Sequence, residues 1–251
     1  MVISTRQAIY NTALLPIFGI TCLALIAVFD INHSLFLQLN TISQITGESL
    51  WASLTLFGDP IVLLCIALSL HFIAPQISFS ILPTLIIGGS AVFYFKWLFA
   101  VIRPPGVLDG IIIIGQSPIS GAFPSGHATG AFALATLLIL LTSKLHLKLM
   151  IFALALLVGV SRIAVGAHWP LDVSGGILFG WASAILGAKI AENWLQTPNK
   201  TIAINLLLLI CTLYLLIRNT GYTQAHLLQF AIAISCMAIA AASLYSLYKQ
   251  K

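Results

Sequence analysis

Charge is scarce in this chain. Charged residues make up 7% of its 251 residues and hydrophobic ones 60%, whereas a soluble domain carries about 25% charged residues. With a mean hydropathy of +1.07, that excludes a globular protein with one large core and leaves a polytopic membrane protein. Acids are scarcer still. Asp30, Glu48, Asp59, Asp109, Asp172 and Glu192 are the whole set, and they form no cluster with ligand spacing, which argues against a bound metal. No cofactor is expected. His33, His71, His146 and His226 are scattered and read as packing or interfacial residues. Cys22, Cys65, Cys211 and Cys236 each lie in an apolar run, without the close pairing of a redox or metal motif. They read as small apolar packing residues. The net charge of +5 in so apolar a chain speaks of loop topology, not of nucleic acid.

Long apolar runs dominate what is present. A helix needs about 20 apolar residues to cross the hydrocarbon core, and eight candidate spans qualify: 12–30, 54–74, 79–102, 125–143, 147–166, 170–191, 201–218 and 225–247. The first has no small-x-small cleavage site before Asp30 and reads as an uncleaved helix rather than a signal peptide. Residues 33–50 alternate Phe36, Leu39, Ile42 and Ile45 with Gln38, Asn40, Ser43 and Gln44. That pattern suits an amphipathic helix in the interface, or an ordinary connecting loop. The fold class is all-α, a membrane helix bundle. Its expected parts are an N-terminal segment 1–50 with the first span, a core 51–191 with the next five, and two extra helices in 192–251.

With the N-terminus placed in the cytoplasm, eight crossings put Arg6, Lys144, Lys148, Lys189, Lys200, Lys249 and Lys251 inside. Lys96, Arg103, Arg162 and Arg218 fall outside. The bias fits the positive-inside rule, with both termini cytoplasmic. Three of the four outer cations stand beside the chain's most unusual polar groups. Lys96 and Arg103, seven residues apart, are expected to share one face at the end of a helix, and Pro104 ends that helix. Either alone reads as a snorkelling cation.

Pro124-Ser125-Gly126-His127 opens the fourth span. Ser125 suits an N-cap, Gly126 permits close backbone approach, and a helix N-terminus favours anions. A plain helix start explains it equally. Ser161-Arg162 closes the fifth span, and His168 follows four residues before Asp172. A carboxylate at that distance orients an imidazole and frees its other nitrogen to attack; a structural His–Asp pair is the alternative. Asp59 in Gly58-Asp59-Pro60 reads as a helix-start residue that also falls near this face.

As a set these residues match Lys-x6-Arg-Pro, Pro-Ser-Gly-His and Ser-Arg-x5-His-x3-Asp without departure. The chain thereby resembles the type 2 phosphatidic acid phosphatase (PAP2) superfamily over about residues 50–190. The resemblance implies a metal-independent phosphomonoesterase or diphosphatase. It also implies the roles: His168 as nucleophile forming a phosphohistidine, Asp172 orienting it, and His127 as the acid. Lys96, Arg103, Arg162, Ser125 and Gly126 would hold the phosphoryl oxygens.

The loop 106–114 carries four consecutive isoleucines and is expected to dip into the outer leaflet, where a phosphorylated lipid would present its head group. Undecaprenyl diphosphate leads; phosphatidate, phosphatidylglycerol phosphate and lipid A phosphates fit equally well chemically. A lipid phosphotransferase and a non-catalytic lipid-binding or transport protein are the competing functions. A bacterial inner membrane, with the site on its outer face, is the expected location.

Overall fold

The computed structural model describes residues 5–192, 194 and 197–249; Gln196, a linker residue, and Lys251, counted among the inside cations, lie outside them. Among the described residues the chain is helical, with one isolated bridge between Ile102 and Ser120. The helices are α1 Thr5–Thr12, α2 Leu14–Val28, α3 Asn32–Asn40, α4 Ile42–Thr46, α5 Glu48–Leu56, α6 Pro60–Ser69, α7 Pro75–Phe99, α8 Gly126–Leu140, α9 Leu145–Ala164, α10 Pro170–Ala191, α11 Pro198–Ile217 and α12 His226–Lys249.

Helices α7, α9, α10, α11 and α12 are long and apolar enough to cross a membrane. The pairs α1–α2 and α5–α6, bent by 57° and 61°, bring the total to as many as seven. The expected span at 125–143 is shorter than a crossing. Helix α8 has 15 residues, about 22 Å of rise against a hydrocarbon core of about 30 Å. Its environment explains this. Eleven of those residues are buried because α8 is the central helix, walled by α6, α7, α9 and α10. Its N-cap Ser125 is fully buried.

Small residues let these helices close up. A Cβ added at Gly180 of α10 would lie 2.4 Å from Thr129 O, and one at Gly187 would lie 2.1 Å from Thr84 Oγ1 of α7. The α5–α6 bend is written locally. The Asp59 carboxylate accepts from Ile61 N at 2.9 Å and Val62 N at 3.3 Å, capping α6, with Pro60 in its first turn. Asp59 is thus the helix-start residue expected, and it also pairs with Arg218 at 2.9 Å.

The segment after α2 folds inward along one side. Phe36 and Asn40 are buried. Phe36 packs edge-on against Trp169, and Asn40 bonds Ile112 through both its N–H and its carbonyl. The isoleucine run behaves differently from the expectation. Ile114 is fully buried and Ile111 and Ile112 pack on core clusters, leaving Ile113 exposed. Tertiary burial, not lipid contact, accounts for most of that apolar run.

Helices α11 and α12 pack on each other and on α6. A buried polar knot ties them: Ser243 Oγ meets His71 Nε2 at 3.1 Å and accepts from Asn205 Nδ2 at 2.8 Å. Close helix packing predicts the outcome of glycine substitution. Gly187→Ala should destabilise the detergent-solubilised protein by about 1–3 kcal/mol through overpacking. Gly89→Ala, in the same bundle but with open space around it, should not. Thermal unfolding of the two variants beside the parent chain checks this.

Candidate active site

Two connections cover one end of the bundle, residues 100–125 between α7 and α8 and residues 165–169 between α9 and α10. Helix α7 stops at Phe99 because Ala100 takes a left-handed conformation, φ 45°. Arg103 then lies on extended backbone, not on the helix face shared with Lys96 that its spacing suggested. Pro104 disfavours helix at that residue, and the chain turns back across the bundle. Its guanidinium is buried and hydrogen-bonds three backbone carbonyls. Nε donates to Ser120 O at 3.2 Å, Nη2 to Gly121 O at 3.2 Å, and Nη1 to Ala167 O at 3.4 Å. Arg103 therefore staples the two loops together, with two of its five N–H donors uncommitted to those bonds.

Arg162, in the last turn of α9, is 3% exposed. Its Nη1 donates at 2.7 Å to Thr55 Oγ1 of α5 and at 2.7 Å to the Tyr222 hydroxyl. Its Nε has no partner among the described residues, so one edge of the guanidinium is anchored and the other is unclaimed. Lys96 is half-buried, its stem lying along Gly121, where an added Cβ would touch it at 3.7 Å.

His168 and Asp172 bracket the start of α10. His168 Nδ1 lies 3.2 Å from Asp172 Oδ2, and the same oxygen accepts from Trp169 N at 2.8 Å. With a carboxylate as acceptor, the proton of the neutral ring sits on Nδ1 and the lone pair on Nε2. Trp169 Nε1 donates to Ile102 O at 2.8 Å, fixing this turn to the other loop. Ser125 caps α8, accepting from Ala128 N at 3.4 Å, and its own N–H donates to Asp172 O at 3.0 Å. The N-termini of α8 and α10 are therefore joined. Half-buried His127 stands in the first turn of α8, packed so closely on Gly58 that a Cβ there would lie 2.7 Å from its own.

The charges of these groups act on one another. Burial, then the charges of Arg103, Arg162 and Lys96, and then His127, hold the His168 imidazole well below its usual range. Burial and the neighbouring Arg162 lower Arg103 to about 10, still cationic at neutral pH. The eight expected residues thus occupy one end of the bundle, where Lys96, Arg103, Arg162 and His127 all act on His168. Among the described residues no three of His, Cys, Asp and Glu are placed to hold a metal ion.

Thr55 and Tyr222 are the residues that motif spacing missed. Tyr222 brings the chain after residue 200, which the resemblance does not reach, to the site. The available signal was topological. The polar run Arg218-Asn219-Thr220-Gly221-Tyr222 falls on the same face as the motifs when spans are counted.

Comparison with known proteins agrees with this geometry. The family model described as the PAP2 superfamily matches residues 77–196. An undecaprenyl-diphosphatase of Sulfolobus acidocaldarius is 35% identical over 102 residues, 39% of this chain and 47% of that one. A lipid A 1-phosphatase of Rhizobium etli is 30% identical over 162 residues, 55% of this chain and 68% of that one. The chain therefore spans between about half and two thirds of these relatives' length. The crystal structure of Aquifex aeolicus LpxE superposes with a TM-score of 0.58 at 28% identity, covering 63% of this chain and 95% of that one. An α-helical membrane bundle with three intact motifs and relatives of this kind belongs to the PAP2 superfamily.

Proposed function

We propose that this chain is an integral membrane lipid phosphatase working through a phosphohistidine on His168. The observation that carries the reading is a single imidazole. Its Nδ1 is held by Asp172, and Arg103, Arg162 and Lys96 act on it together. A dianionic phosphoryl group in their midst would have its charge offset from three sides. Phosphoryl transfer asks mainly for such positioning and charge stabilisation.

In the first step His168 Nε2 attacks phosphorus and the bond to the leaving oxygen breaks; His127, protonated when the phosphoryl dianion is bound, gives its proton to that oxygen and becomes neutral. The resulting imidazolium-like phosphohistidine keeps its Nδ1 proton against Asp172. In the second step His127 takes a proton from water. The hydroxide attacks phosphorus, the P–N bond breaks, and inorganic phosphate leaves with His168 neutral again. The N-terminus of α8, with Ser125 and the Gly126 N–H, adds anion stabilisation. No step uses a metal.

The substrate class is a phosphorylated membrane lipid. Similarity to an undecaprenyl-diphosphatase and to a lipid A 1-phosphatase supports a polyprenyl diphosphate first and a lipid A phosphate second. Charge distribution supports a site on the periplasmic face of a bacterial inner membrane, with both termini cytoplasmic. Residues 51–191 form the catalytic core in this reading, behind an N-terminal segment 1–50.

Purified protein should release inorganic phosphate from at least one lipid in a panel spanning undecaprenyl diphosphate, phosphatidate, phosphatidylglycerol phosphate and lipid A, without an acceptor lipid. His168→Ala should lower that rate by ~10³-fold or more; a fully active variant would refute the mechanism. The lowered imidazole pKa has a definite sign. The neutral nucleophile persists as pH falls through the ordinary value of about 6.5. In a ¹⁵N-histidine NMR titration, with His168→Gln to assign the signal, its midpoint should lie below 6.5. A midpoint at or above 6.5 contradicts the proposed electrostatics.

A further inference from the structure

The loop between α11 and α12, outside the residues that the family model matches, is built into the phosphate site. Four contacts hold it there. Arg218 Nη1 pairs with Asp59 Oδ1 at 2.9 Å. Gln224 Nε2 donates to Glu48 Oε2 at 3.0 Å, at the start of α5. Gly115 of the covering loop lies so close that a Cβ there would meet Gly221 O at 2.5 Å and the Tyr222 ring at 2.8 Å. Finally, the Tyr222 hydroxyl accepts from Arg162 Nη1 at 2.7 Å, with the guanidinium carbon 5.9 Å from the centroid of the same ring. Tyr222 is 4% exposed, so this hydrogen bond is shielded from water and competes with none.

Arg162 needs such an anchor. The side chain is a long cation with no carboxylate partner among the described residues, set beside Arg103 and Lys96, which repel it. Thr55 and Tyr222 both act on one nitrogen, Nη1, and nothing among the described residues engages Nε. Two neutral acceptors on one corner fix the plane of the guanidinium without neutralising it. The opposite edge stays free and fully charged for an oxyanion, the geometry in which a planar fork binds phosphate in two-point fashion. A carboxylate in the place of Tyr222 would anchor the side chain equally well and cancel the charge the site needs.

We infer that Tyr222 is a positioning residue for Arg162, and that the α11–α12 hairpin is thereby a working part of the phosphate site rather than an appendage. The inference rests on the proposed phosphatase reading for its activity arm, and on oxyanion affinity for an independent one. Tyr222→Phe removes only the hydroxyl and keeps the ring packing against Gly115. Loss of a hydrogen bond to a charged group should lower kcat by about tenfold. KM for the lipid should change less than twofold, because Arg162 is proposed to act on the transferring phosphoryl group rather than on the rest of the lipid. Orthovanadate, a mimic of the phosphorus centre, should bind about tenfold more weakly, and the melting temperature without ligand should fall by no more than about 5 °C. Thr55→Val, which removes the other Nη1 acceptor, should weaken kcat and vanadate binding in the same direction.

On an Arg162→Ala background, Tyr222→Phe should cause no further loss of vanadate affinity, since its effect passes through Arg162. Parent-like kcat and vanadate affinity in Tyr222→Phe overturn the inference, as does a Tyr222→Phe loss that persists in full on the Arg162→Ala background. If the parent protein releases no phosphate from any lipid, the functional reading fails by itself. Vanadate affinity, read by thermal stabilisation of the full chain, then still decides the role of Tyr222.

Discussion

Two guanidinium groups and an ammonium converge on one imidazole at the end of a helix bundle, with a single carboxylate beside it. Like charges gathered in a partly desolvated site repel, and the lowering of Arg103 by burial and by its cationic neighbour Arg162 shows that cost here. The structure opposes that repulsion with neutral acceptors. Arg103 lies among three backbone carbonyls, and Arg162 is held by two hydroxyls. Hydrogen bonds to charged groups contribute about 1.5–3 kcal/mol each, enough in sum to hold the cations in place while leaving them charged. In the proposed reading, the repulsion that remains is relieved when a phosphoryl dianion arrives, which ties binding energy to the reacting group.

That constraint shapes the surrounding fold. The carbonyls that receive Arg103 come from both covering loops, so the loops must meet, and the Trp169 Nε1 bond to Ile102 O and the burial of Ile114 bring them together. The central helix α8 is shorter than a membrane crossing, and its N-cap Ser125 is fully buried. Its buried start sets His127 and the α8 N-terminus at the level of His168. The glycines of α10 permit this depth, since Gly176 and Gly180 lie against Ala128 and Thr129 where any side chain would collide.

Much of this was legible in the residues themselves. Hydropathy located most of the helices, and Asp59, Ser125 and Thr197 each cap a helix as their residue types suggest. The three motifs mark one end of the bundle because polar groups are rare enough here for each to count. What was illegible is tertiary. Ala100 adopts a left-handed backbone with no glycine or asparagine to announce it, so Arg103 looked helical. The isoleucines of the covering loop looked lipid-facing, because a period-free apolar run does not say which surface buries it. Thr55 and Tyr222 reach Arg162 across 107 and 60 positions, a separation that no local spacing encodes.

In the proposed mechanism the cluster around His168 holds a phosphoryl group for attack by its Nε2. The most direct measurement is a rapid alkaline quench of turnover with ³²P-labelled lipid, followed by peptide mapping. An acid-labile, base-stable phosphate is expected on the peptide that carries His168, and none in His168→Ala. Label on another residue, or turnover at the parent rate with no label on protein at any quench time, would contradict it.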